Sequence, residues 1–184
     1  MKIEHLQGLI SAPFAPFNGN GKLDTNLIPS YYAFLKKNGI TGAFINGSTG
    51  EGVSLTLEEK KEVAQAWADC TNHDADFKVM VFLGGTCLAD CIDLAKHAYE
   101  IGLYAVSLTA PFYFKPANVD MLAQACIMVG ESIPGMPLYS SFFHSWCCST
   151  SFLRVFVTLY SDPSLSSSAY AEPSSTTSFS TKLS

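Results

Sequence analysis

Long apolar runs are missing from this sequence. No stretch of about 18 apolar residues occurs, so a spanning helix is not expected and neither is a membrane partner. No apolar run follows Lys2, so the first residues do not read as a secretory signal. Basic charge is also scarce. With 11 Lys and Arg against 16 Asp and Glu, the net charge is −5, and no basic stripe is present to meet a phosphate backbone. Nucleic acid is therefore not an expected partner. Metal-ligand spacing is lacking as well. The six cysteines stand at positions 70, 87, 91, 126, 147 and 148. Neither the step from Cys87 to Cys91 nor the adjacent pair Cys147-Cys148 is a zinc pattern, and His97 and His144 are not placed to complete one. Thiols used this way fit a reducing compartment, which makes the cytoplasm the expected location. No metal and no cofactor is expected.

What is present changes character near residue 139. Residues 1–139 hold 6 serines, whereas residues 140–184 hold 15, with five threonines and only Arg154, Asp162, Glu172 and Lys182 charged. The stretch 164–184 is almost pure Ser, Thr, Ala and Pro, a composition that buries too little apolar surface to offset its ordering entropy. Residues 151–159 are apolar without a helical or alternating pattern. Three readings of this tail stand: a mucin-like linker, a disordered appendage, or a frame-shifted product. The abruptness of the break favours the frame shift.

The first part alternates short apolar runs with longer amphipathic ones. Residues 9–14 read as a first strand. Asp24 or Thr25 caps a helix to about Asn38, and Gly39 ends it. Residues 42–46 form a second strand. Thr56 and Glu59 make a capping box for a helix to about Cys70. Residues 78–83 form strand three, followed by Gly84-Gly85. Thr86 is expected to cap a helix ending at Gly102. Residues 104–108 form strand four, 119–129 a fourth helix, and Met136-Pro137-Leu138-Tyr139 begins strand five. The segment Gly39-Ile40-Thr41-Gly42-Ala43-Phe44 is echoed 63 residues later by Gly102-Leu103-Tyr104-Ala105-Val106-Ser107. Strands apolar on both faces and linked by helices imply a parallel sheet. Spacing near 30 residues favours a barrel over a doubly wound sheet. A complete barrel takes about 250 residues, so the expected fold is α/β, an incomplete (β/α)8 barrel. It has about four β/α units and the start of strand five in residues 1–139, followed by the low-complexity tail 140–184.

The segment that carries chemistry is Asn46-Gly47-Ser48-Thr49-Gly50-Glu51-Gly52. It follows strand two, on the side where barrel active sites form. Glycines at 47, 50 and 52 are expected to let the backbone approach a ligand and take positive φ. Ser48 and Thr49 offer two hydroxyls and two successive N–H groups, a concave donor set that suits a carboxylate or a phosphate. A glycine-rich turn with no ligand is the equally weighted alternative on spacing alone.

Gly47-Ser48-Thr49-Gly50-Glu51 resembles the pyruvate-binding turn of the N-acetylneuraminate lyase and dihydrodipicolinate synthase family. The resemblance extends over residues 6–139, and includes Gly8-Leu9-Ile10 with Pro13 and Pro16, and Ala110-Pro111-Phe112-Tyr113-Phe114-Lys115-Pro116. The continuation Glu51-Gly52-Val53-Ser54-Leu55 and the Phe-Tyr-Phe-Lys-Pro run are more similar to the sialic acid lyases. The synthases usually read Tyr-Tyr-Asn in the second place. The resemblance implies a class I aldolase that cleaves N-acetylneuraminate to N-acetylmannosamine and pyruvate. In such enzymes a strand-six lysine forms an imine with the keto carbon and a strand-five tyrosine moves protons. Ser48 and Thr49 become the clamp for the substrate carboxylate, with Gly47, Gly50 and Glu51 supporting the turn. Tyr113 becomes a candidate for the pocket mouth. The implied partner is a small 2-keto acid, N-acetylneuraminate or pyruvate, and full-length relatives are expected to be homotetramers.

The pattern departs from the family beyond Tyr139. The catalytic tyrosine is expected at position 141, where Ser141 stands. The Schiff-base lysine is expected within 161–171, which holds none. Lys115, after strand four, is the one tempting substitute, but a loop ammonium lacks the burial or cationic neighbour that lowers an amine pKa. Lys78 is expected at the wrong end of its strand. Lys36-Lys37 and Lys60-Lys61 read as solvated surface pairs and His97 as structural. No residue of this chain is therefore assigned as catalytic, and the chain is expected to be inactive alone. The alternatives are a fragment of a dihydrodipicolinate synthase or another 2-keto acid aldolase, and a non-catalytic remnant.

Overall fold

Each strand of the first part is followed by a helix that carries the chain back to the same edge, so successive strands come to lie parallel. The structure, a computed structural model, describes residues 7–72, 74–111, 113, 115–142 and 155–159. In order the elements are β1 (Leu9–Ser11), a 3-10 turn (Thr25–Leu27), α1 (Ile28–Lys37), β2 (Ile40–Ile45), α2 (Leu57–Thr71) and β3 (Lys78–Phe82). There follow α3 (Leu88–Glu100), β4 (Ala105–Thr109), α4 (Val119–Glu131), β5 (Leu138–Phe142) and β6 (Val155–Leu159). The strands line up in sequence order from β1 to β6. β1 through β5 pair in parallel, and β6 runs antiparallel to β5. A doubly wound sheet would reverse its order at a switch point. The unbroken order is that of an incomplete barrel.

Local chemistry accounts for the element ends. Thr56 accepts from the Glu59 N–H while the Glu59 carboxylate accepts from the Thr56 N–H, so the expected capping box starts α2. Gly39 and Gly102, the two echoed positions, both follow a helix with φ of 74°. Several boundaries differ from expectation by a residue or two, and three of the differences are informative. β1 stops at Ser11 rather than residue 14, because Pro13 has no N–H for the ladder. Asp24 does accept from the Asn26 N–H, but it caps the 3-10 turn. The α-helix proper begins at Ile28, with Pro29 in its first turn, where a missing N–H costs nothing. The cap of α3 is Cys87, not Thr86, and it makes no side-chain bond.

Side chains alternate between the two sheet faces. Ala43, Ile45, Val79, Val81, Val106, Leu108 and Leu138 join one buried cluster with Leu35, Val63, Trp67, Leu94, Ala98, Cys126 and Val129 from the helices. Trp67 is 1% exposed and stacks on Phe77, with ring planes 2° apart and centroids 6.2 Å apart. The opposite face carries Phe44, Met80, Phe82, Ser107 and Thr109 in register.

At the amino edge of the sheet, Asp74 accepts from both Tyr32 and Lys36, tying α1 to the loop before β3. Lys78, at the start of β3 as expected, lies 5.1 Å from the centre of the Tyr104 ring. β6 falls within the segment read as a tail. Positions 143–154 and 160–184, including His144, the Cys147-Cys148 pair and the stretch expected to hold a lysine, lie outside the described residues.

Candidate anion-binding site

Parallel strands place their carboxyl ends on one edge, and the turns that follow β1 to β4 gather there. The turn after β2 is fixed by its own backbone. The Gly52 N–H donates to the Gly47 carbonyl at 3.1 Å, Glu51 to Ser48 at 3.2 Å, and Ser54 to Glu51 at 2.8 Å. Ser48 and Thr49 form the exposed tip. Among the described residues, their N–H groups have no hydrogen-bond partner. Two unengaged amides beside two hydroxyls on exposed residues can grip an anion.

The three glycines do not take positive φ as expected. The left-handed positions are Asn46 at 59° and Glu51 at 53°. Close approach of protein to protein is what requires glycine here. A Cβ on Gly52 would stand 1.8 Å from the Asn46 carbonyl oxygen, and one on Gly50 would stand 3.0 Å from the Pro13 carbonyl. The second contact packs the loop after β1 against this turn. Beneath Gly47 lies the Phe44 ring, 3.0 Å from where a Cβ would sit. Phe44 meets Phe82 at 5.7 Å, and Phe82 lies under Gly84. Two aromatic rings on the face away from the helices thus support two successive turns.

Asn46 is 2% exposed, and its side-chain amide donates to the Lys60 carbonyl at 3.2 Å. Its Oδ1 has no partner among the described residues. The amide orientation is fixed by chemistry, since a reversed amide would set oxygen against oxygen. Lys60 is not a solvated pair with Lys61. Its ammonium donates to the Gly84 carbonyl at 3.2 Å, Lys61 binds Asp93 at 2.7 Å, and Lys36 binds Asp74. The expectation failed because helix position predicts a surface but not what faces it.

Tyr113 and Lys115 follow β4 on the same edge, and Tyr113 is 74% exposed. Phe112 and Phe114 lie outside the described residues. Ser141 stands in β5 opposite Thr109 of β4. His97 lies in the last turn of α3, away from the turns, with its Nε2 buried. Burial pushes the Cys91 thiol up to about 11 and raises Cys126, whose sulfur is 3.9 Å from the Ser140 hydroxyl. These are thiols of the core, not nucleophiles. No group of metal-ligating side chains and no helix long and apolar enough to cross a membrane occurs among the described residues. A cavity of about 370 Å³ lies at the opposite, amino edge, between Thr71, Asp74, Lys78 and Tyr104. Its charged groups are already engaged, Asp74 with α1 and Lys78 with the Tyr104 ring.

The roles of four residues of the site escaped sequence reasoning. Asn46 could have been found, because asparagine before glycine tolerates the left-handed region. Phe44 and Phe82 could have been found as same-face positions at strand ends. Lys60 carries no sequence signal, since its partners lie 14 and 24 residues away.

Fold and turn together define a class: a β/α-barrel protein with a donor-lined turn at the carboxyl edge of its strands. The chain belongs to the dihydrodipicolinate synthetase family, whose profile matches residues 5–139. It is 35% identical over 139 residues to an N-acetylneuraminate lyase of Danio rerio, covering 75% of this chain and 45% of that protein. It superposes on the N-acetylneuraminate lyase of Proteus mirabilis with a TM-score of 0.71 at 33% identity, covering 76% of this chain and 46% of the other. A prophage protein of the dihydrodipicolinic acid synthase family from E. coli K12, solved with pyruvate, superposes with a TM-score of 0.66 at 27% identity. That match covers 72% of this chain and 43% of the other. The chain thus spans about half the length of the relatives it matches.

Proposed function

We propose that this chain carries the carboxylate-gripping part of an N-acetylneuraminate lyase-like class I aldolase, acting on N-acetylneuraminate or pyruvate in the cytoplasm. The carrying observation is the unengaged pair of amides at Ser48 and Thr49, set with their hydroxyls at the carboxyl edge of a family barrel sheet. The Phe112-Tyr113-Phe114 run favours the lyase over the synthase. In this reading Ser48 and Thr49 hold the substrate carboxylate, Gly47, Gly50 and Glu51 shape the turn, and Tyr113 stands at the pocket mouth. No electrophile accompanies the clamp in this polypeptide. Ser141 has too short and too weakly acidic a side chain to relay a proton as a phenol would, and 161–171 holds no lysine. The 184-residue polypeptide therefore binds the acid and leaves its carbon–carbon bond intact. The abrupt change of composition at residue 140 supports reading the sequence beyond it as frame-shifted, which translation of the other frames of the gene would check.

The test is a pyruvate titration of the isotopically labelled chain, followed by borohydride. The Ser48 and Thr49 amide resonances should move, the movement should vanish in Ser48→Ala/Thr49→Ala, and no lysine should gain mass. Resonances indifferent to saturating pyruvate would remove the clamp. A borohydride-stable adduct would overturn the reading of a chain without an electrophile.

A further inference from the structure

We propose that Lys60 is a positioning residue for the anion-binding turn: it joins that turn to the turn after β3, so that the two present a single rigid edge to a ligand. The inference rests on the functional reading above for its ligand, but not for its geometry. One residue of α2 makes both connections. Its main-chain carbonyl accepts the Asn46 side-chain amide at 3.2 Å, and its ammonium donates to the Gly84 carbonyl at 3.2 Å. Both partners are the hinges of their turns. Asn46 is left-handed and buried at the entry of the first, where its carbonyl packs on Gly52. Gly84 opens the second and sits on the Phe82 ring.

The chemistry suits the task. A helical carbonyl has a spare lone pair for the asparagine amide. A lysine stem is long enough to cross from α2 to the neighbouring turn, and a charge-assisted bond to a half-buried carbonyl is stronger than a neutral one. The other lysine of the pair, Lys61, points to Asp93 of α3 and serves only the helix layer. Beyond the β2–β3 ladder, the other side-chain link described beneath the two turns is the Phe44–Phe82 ring contact, which resists sliding weakly because it has no direction.

The test uses the full 184-residue chain in wild-type, Lys60→Met and Lys60→Arg forms. Amide exchange at Gly52 reports whether the first turn stays closed, and pyruvate titration reports the clamp. Lys60→Met keeps the carbonyl and the apolar stem but removes the donor. Gly52 exchange should quicken roughly fivefold, the loss of about one net hydrogen bond, and pyruvate should bind more weakly by a similar factor. The fold should survive, with a melting midpoint lowered by only about 2–4 °C, the scale of one net hydrogen bond in a chain of this size. Lys60→Arg should restore both readouts to within about twofold, since it keeps a donor of similar reach. Asn46→Asp, which replaces the amide donor by an acceptor facing the Lys60 carbonyl, should quicken Gly52 in the same way and serves if Lys60→Met folds poorly. Faster Gly52 exchange with no pyruvate response in any form would retire the clamp and leave the strut standing. Gly52 exchange unchanged in Lys60→Met or in Asn46→Asp would overturn the proposal, whatever pyruvate does.

Discussion

Gly102 and Gly52 stand at opposite edges of one sheet, and the reasons for glycine differ. At the amino edge Gly102 takes a φ of 74° after α3, and a Cβ there would meet nothing within 4 Å. At the carboxyl edge Gly52 has an unremarkable φ, but a Cβ would collide with the Asn46 carbonyl at 1.8 Å. Polar groups divide along the same line. Tyr32, Lys36 and Asp74 satisfy one another at the amino edge. The Ser48 and Thr49 amides at the carboxyl edge have no partner among the described residues. Barrel enzymes keep stability at the first edge and chemistry at the second. Here the division is visible as donors engaged on one side and left over on the other.

The comparison breaks most easily at Gly52. Gly52→Ala should destabilise by about 3 kcal/mol, the scale of overpacking where backbone rather than side chain must yield. Denaturant melts would show it, and the pyruvate response at Ser48 and Thr49 should vanish with it. Gly102→Ala should cost less, about 1.5 kcal/mol, because only the left-handed backbone is penalised and the space is open. Pyruvate binding should be unchanged. Equal costs at the two positions would mean that the turn after β2 opens freely, and the contrast between the edges would dissolve.

The same two glycines show how far sequence reasoning reached. Gly102 and Gly39 were legible because a helix terminus is a local event, decided by a few residues, and so was the capping box of Thr56 and Glu59. The frame of the anion turn was legible as a run of small residues around Ser48 and Thr49. Its cause was not. The crowding of Gly50 comes from Pro13, 37 residues earlier, and the bracing of Asn46 comes from Lys60, at a helix position that reads as solvent-facing. Thr86 was the better cap by residue type. The helix instead starts after an extended Cys87, with φ of −89° and ψ of 107°, and without a side-chain cap bond. Residue type sets what a position prefers locally, while the site depends on what distant turns press against it.

The smallest expected effect belongs to the amino edge and sharpens the contrast through pH. The Lys36 ammonium, and then the Tyr32 hydroxyl, hold the Asp74 carboxyl below its usual range by hydrogen bonding. A folded-state value below the unfolded one means that the carboxylate stabilises the fold above the unfolded value, about 3.9, and that this is lost as pH falls through the folded value. Tyr32 carries the opposite sign: burial, then the bond to Asp74, pushes its phenol up to about 12. Its contribution is whole below about 10, the ordinary tyrosine value, and is lost as pH rises toward the folded one. Lys36 is 43% exposed, so solvent screens the pair, and Asp74→Asn should cost only about 0.5–1 kcal/mol at neutral pH. The gap between wild type and variant should shrink steadily below about pH 4, with the pyruvate response intact throughout. A gap that stayed constant into acid would show that Asp74 acts through shape alone, because protonation removes the charge and leaves the shape.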